Sequence, residues 1–84
     1  MAYSIEQVAR ITHTSRHTIA VYCRLGVIEP LDLPDRPGWH FDDEAIRTLS
    51  RAEHIRREHG VNLRGTAIIL RLLDRIEALQ DELR

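Results

Sequence analysis

The chain reads as a mainly α fold: a winged helix-turn-helix with a small β-hairpin wing and a C-terminal heptad helix. Three observations predict it. Two short amphipathic segments flank the polar cluster His13-Thr14-Ser15 and close at Gly26; Trp39-His40-Phe41 alternates apolar, polar, apolar behind a proline-bearing loop; and Ile69, Leu72, Ile76, Leu79 and Leu83 repeat at spacings of 3, 4, 3 and 4. The 84 residues form a single expected domain, with a helix-turn-helix over 1–26, a wing over 27–41, a third helix over 42–59 and a C-terminal helix over 62–84. Such a length lies near the lower limit for a self-sufficient core, so help from a partner chain is expected.

Ser4 followed by Gln7 is a capping-box pattern, and Ile5, Val8, Ala9 and Thr12 come after it at helical spacing, giving a first helix to about Ile11. Either hydroxyl of Thr14-Ser15 can cap a second helix from about Arg16, whose buried face is Ile19, Tyr22 and Cys23. Gly26 stands where a helix ends with positive φ. Leu31 to Gly38 contains Pro34 and Pro37 and cannot be helical, so Val27-Ile28 is expected to pair with Trp39–Phe41 across it as the wing. Asp42 caps the third helix, with Asp43 and Glu44 in its first turn, where the helix dipole favours acids. Ala45, Ile46, Leu49, Ala52 and Ile55 mark its buried face; Gly60 ends it, and Asn62 caps the last helix from Leu63.

That last helix has more apolar surface than so small a body can cover, because about twenty residues of helix run roughly 30 Å. Packing on the domain is expected over Leu63 to Leu70. The heptad residues Ile69, Leu72, Ile76, Leu79 and Leu83 are the expected dimerisation seam.

Charge is distributed unevenly. The net charge is −1, and all twelve basic residues are arginine. Gln7 to Ile28 contains no acid but holds Arg10, Arg16 and Arg24, whereas Glu29 to Glu44 holds six acids against Arg36 alone. Asp42, Asp43 and Glu44 serve the helix start; Glu29, Asp32 and Asp35 still leave the wing acidic. An acidic wing repels a phosphate backbone, and a basic surface beside an acidic one suits a protein partner better than a polyanion.

Other chemistries find little support. His13 and His17 stand four apart, but His13 falls in the turn and no further ligand is near, so no metal site or other cofactor is expected. Cys23, the only cysteine, reads as a small buried apolar residue. Trp39 either anchors a partner or packs under the wing. Arg47, Arg51, Arg56 and Arg57, with Glu44, Glu53 and Glu58 nearby, read as solvated pairs such as Glu53–Arg57. No activatable nucleophile, carboxylate pair or phosphate-cradling loop is present, which points to a non-enzyme. The opening MAYSIEQVAR lacks the pattern of a signal peptide and no apolar run is long enough to cross a bilayer, so a cytoplasmic location is expected.

Together the helix-turn-helix, the wing, the Leu25-Gly26-Val27-Ile28-Glu29-Pro30 junction and the heptad helix resemble the MerR group of regulators. Their second helix usually reads close to T-L-R-Y-Y-E; here it is Thr18-Ile19-Ala20-Val21-Tyr22-Cys23. Ala20 replaces the arginine that meets DNA, and Trp39 stands where the wing typically carries another. Gly60-Val61-Asn62-Leu63-Arg64-Gly65 is similar to the HspR branch of that group. The resemblance is closer to the chaperone-modulator family CbpM, through Leu25 to Pro30, Trp39-His40-Phe41-Asp42-Asp43, Ile55-Arg56-Arg57-Glu58, Asn62-Leu63-Arg64-Gly65 and Leu72-Leu73-Asp74-Arg75-Ile76-Glu77-Ala78-Leu79.

That resemblance implies a protein that binds and inhibits the J-domain of a CbpA/DnaJ-type co-chaperone, competing with its access to a DnaK-type partner. J-domains carry a basic second helix, so the residues expected to meet it are Glu29, Asp32, Asp35, Trp39 and Asp43. The alternative reading is a MerR/HspR-type transcriptional regulator binding DNA as a dimer, through Arg16, His17, Tyr22, Arg24 and Arg36.

Overall fold

A computed structural model describes residues 1–84. Helix α1 (Ile5–Thr12) begins with the expected capping box: the Gln7 amide donates to Ser4 Oγ at 3.2 Å, and the Ser4 amide donates to Gln7 Oε1 at 2.8 Å. It stops at His13, a left-handed residue with φ 52°. The Thr14 amide then donates back to the Ala9 carbonyl at 3.1 Å, and the buried Thr12 and Thr14 hydroxyls donate to the Val8 and Thr12 carbonyls. The turn's buried polar atoms are thereby satisfied within the turn itself. Helix α2 (Arg16–Arg24) starts on Ser15, whose Oγ accepts from the Thr18 amide at 3.1 Å. Gly26, at φ 75°, turns the chain out of it.

The wing departs from expectation. Val27-Ile28 forms no strand: the Val27 amide donates to the Tyr22 carbonyl at 2.9 Å, closing the end of α2, and Ile28 enters the core. Pro30 has no N–H to extend a ladder. The wing instead closes at an antiparallel bridge between Leu31 and His40. The sheet proper joins β1 (Tyr3–Ser4) to β2 (His40–Phe41), antiparallel, with Tyr3 opposite Phe41 and Ser4 opposite His40. The N-terminus therefore supplies the partner strand, and it ties α1 to the wing.

Helix α3 (Asp43–His59) is capped by Asp42, whose Oδ1 accepts from the Ala45 amide at 2.9 Å, and it ends at Gly60 with φ 62°. Helix α4 (Leu63–Glu82) is capped by Asn62, whose Oδ1 accepts from the Gly65 amide at 2.8 Å. A Cβ on Gly65 would collide with the Val61 side chain, which would have to shift to admit it.

The core gathers Val8, Ile19, Tyr22, Ile28, Phe41, Ala45, Leu49, Ala52 and Leu70, drawing on every helix and on β2. It ends at Leu70. Beyond that point Leu72, Ile76, Leu79 and Leu83 are all at least half exposed.

Candidate interaction surfaces

Three surfaces are open on this frame. The first is a groove of about 530 Å³ between α2 and the wing, lined by Arg16, His17 and Ala20 on one side and Pro37, Trp39 and His40 on the other. The two positions at which a DNA-binding relative would place arginine, Ala20 and Trp39, thus line a single groove. Trp39 is 45% exposed, with its ring edge-on to Phe41 at 6.4 Å and 82°. The packing expected of it is therefore present in part: one side of the indole rests on the core and the rest faces solvent. The His40 Nδ1 meets the Gly38 carbonyl at 3.3 Å, bracing the wing where Gly38 takes φ 87°.

The second surface is the acidic wing. Glu29, Asp32 and Asp35 are exposed, as is Arg36. Asp43 is exposed too, but its carboxylate is engaged: Tyr3 donates its hydroxyl to Oδ1 at 2.7 Å, and the N-terminal amine lies 3.8 Å from Oδ2. It fixes the N-terminus as well as contributing charge. On the adjoining helix-turn-helix, Arg10, Arg16, His17 and Arg24 are exposed, and Arg16 lies 3.6 Å from Glu6.

Tyr22 does not belong to any DNA-facing set. It is fully buried, and its hydroxyl donates to Glu53 Oε2 at 3.0 Å. Glu53 is itself buried and accepts two bonds from the Arg56 guanidinium, at 2.7 and 2.8 Å. The expected solvated Glu53–Arg57 pair is therefore replaced by a buried Tyr22–Glu53–Arg56 network that locks α2 to α3. The one signal for it in the sequence is Glu53 next to Ala52, on the flank of the buried stripe. The Arg56 hydrogen bonds hold the Glu53 carboxyl below the usual range against the opposing effect of burial. Burial and the Glu53 charge push the Tyr22 phenol up to about 12. Burial likewise raises the Cys23 thiol, which disfavours the reactive thiolate.

The third surface is the distal seam of α4. Ile69 is half-buried against the domain, whereas Leu72, Ile76, Leu79 and Leu83 face solvent, joined by Ile68 from the flank. Arg51 reaches from α3 to Glu77 at 3.3 Å, bracing the middle of the helix. No helix is long and apolar enough to cross a membrane.

Comparison with known proteins agrees with this geometry. A family model described as MerR HTH family regulatory protein matches residues 3–84. Curated relatives described as chaperone modulatory protein CbpM, from Salmonella arizonae and Salmonella newport among others, are 40% identical over 60 residues, or 71% of this chain. The aligned stretch spans 58% of the length of those relatives.

Proposed function

The chain belongs to the MerR helix-turn-helix family of regulatory proteins, and from that premise we propose that this one regulates by binding protein, as a cytoplasmic chaperone modulator that is not an enzyme. Its target on this reading is the J-domain of a CbpA/DnaJ-type co-chaperone, which it keeps from its DnaK-type partner. The observation that carries the reading is the pairing of Ala20 and Trp39 in one groove beside an acidic wing. A helix-turn-helix that grips a duplex needs cations there, since phosphate neutralisation supplies much of the affinity. At those two positions the groove offers a methyl group and an indole, leaving Arg16 and His17 as its cations, and Glu29, Asp32 and Asp35 repel phosphate while attracting the basic helix of a J-domain. The distal α4 seam joins two copies, so each assembly would present two such surfaces.

One observation favours the second reading, a dimeric DNA-binding regulator: α2 keeps Arg16, His17 and Arg24 exposed in an intact helix-turn-helix. Parallel calorimetric titrations at physiological salt separate the two. The expected result is saturable binding of a J-domain, with only weak binding to duplex DNA and a shallow salt dependence, because few phosphates are neutralised. Tight, sequence-specific DNA binding with no J-domain binding would reverse the assignment.

A further inference from the structure

The acidic wing accounts for attraction to a basic partner but leaves the neighbouring groove unused. Its walls differ in chemistry. Pro37 and Trp39 give one apolar side, and Ala20 opposite contributes only a methyl group, which leaves room between them. Trp39 rests edge-on against the fully buried Phe41, so the exposed part of the indole is held in place before any partner arrives. Arg16 and His17 stand at the rim in the first turn of α2, where the helix dipole adds to the attraction for an anion. The only acid in the lining is Glu6, whose 3.6 Å contact with Arg16 joins two side chains that are both well exposed, a loose pair that leaves the guanidinium free to take a second carboxylate.

We infer that the groove between α2 and the wing receives a bulky apolar side chain of the protein partner, seated between Trp39 and Ala20, with a neighbouring partner carboxylate held by Arg16 and His17. The inference rests on the protein-binding reading above and deepens it. A phosphate backbone fits less well, because the wing that forms one wall carries Glu29, Asp32 and Asp35 on its exposed surface. The partner must then be bipolar: a basic patch for the wing, and an apolar residue beside an acid for the groove. A uniformly basic protein meets only the first requirement and is discriminated against.

Trp39 is the only tryptophan, so its emission reports on the groove directly. The probe is the J-domain of a CbpA-type co-chaperone, titrated into the full chain. The expected result is a blue shift of Trp39 emission at saturation, with affinity about 30-fold weaker for Trp39→Ala, as for a hot-spot tryptophan, and about 10-fold weaker for Arg16→Glu. Arg16 has a largely exposed side chain, so Arg16→Glu keeps the wild-type melting temperature. Trp39→Tyr, which retains an aromatic ring against Phe41, gives an intermediate loss. Binding with unmoved emission and unchanged affinity for Arg16→Glu and Trp39→Tyr would overturn the groove while leaving the protein-binding reading intact. No J-domain binding by the wild-type chain would overturn both, and a shift of Trp39 emission by duplex DNA alone would assign the groove to nucleic acid instead.

Discussion

The two halves of α4 share one sequence rhythm and meet opposite fates. Over Leu63 to Leu70 the apolar stripe is closed against α2 and α3, with Thr66, Ala67 and Leu70 buried. Beyond it the heptad residues Leu72, Ile76, Leu79 and Leu83 lie open, although the helix continues without a break to Glu82. Periodicity alone cannot tell these halves apart, because both satisfy it. The amount of body available to cover them does: the buried core ends at Leu70, and beyond it only the half-buried Leu73 and the Arg51–Glu77 pair still tie the helix to the domain. The remainder of the helix leaves Leu72, Ile76, Leu79 and Leu83 uncovered, the seam proposed above to join two copies.

Substitution sharpens that contrast. Leu70→Ala should cost about 3 kcal/mol of stability, the usual toll for truncating a buried leucine, whereas Leu79→Ala in dilute solution should stay within about 0.5 kcal/mol. Chemical denaturation of the two variants checks this, and similar losses would mean that the distal half is structural after all.

The next largest effect belongs to the buried network holding α2 on α3. Glu53→Ala strands the Tyr22 hydroxyl in the core and should cost about 2–3 kcal/mol, less than a fully buried pair because Arg56 is partly exposed. The network also sets the pH response. The Glu53 carboxyl sits below its ordinary 4.5 in the folded chain. Its stabilisation is therefore complete above that value and is lost as pH falls through the lower folded value. The Tyr22 phenol is shifted the other way, so its share holds below 10 and is lost as pH rises through about 12. Stability measured against pH should lose part of its acid-side decline in Glu53→Ala and part of its alkaline decline in Tyr22→Phe.

A smaller effect is expected from the open half. Replacing Leu79 and Leu83 together by glutamine should weaken self-association at least tenfold, about 1.4 kcal/mol, and move a dimer towards monomer in sedimentation at micromolar concentration. A wild-type chain that is already monomeric at millimolar concentration would contradict the seam.

Much of this is legible in the sequence, for local reasons. Ser4, Asp42 and Asn62 cap the helices they are expected to cap, and Gly26 and Gly60 take positive φ, because caps and turns depend on residues within a few positions. The long-range features are not. A two-residue strand at Tyr3–Ser4 has no readable periodicity, and Val27-Ile28 looks like a strand because its β-branched residues suit a core as well as a sheet. Analogy with its motif places Tyr22 on a DNA-facing surface, but its hydroxyl has a buried acceptor supplied from 31 residues away. Glu53 reads as solvated because charge argues for water unless the partner is known. In the groove, by contrast, the two anomalous residues are visible one at a time; the structure adds that they line the same space.

The contrast on which the proposed function most depends is between the basic helix-turn-helix and the acidic wing beside it. Reversing charge at the exposed loop residues Asp32 and Asp35 together, as Asp32→Lys with Asp35→Lys, tests it without disturbing a cap or the core. The measurement is J-domain affinity and association rate as a function of salt, for the wild-type chain and the double variant. An acidic wing that meets a basic helix predicts that wild-type binding weakens as salt rises, chiefly through slower association, and that the double variant binds several-fold more weakly with a flatter salt dependence. Unchanged affinity and unchanged salt dependence in the variant would contradict it and move the contact away from the wing.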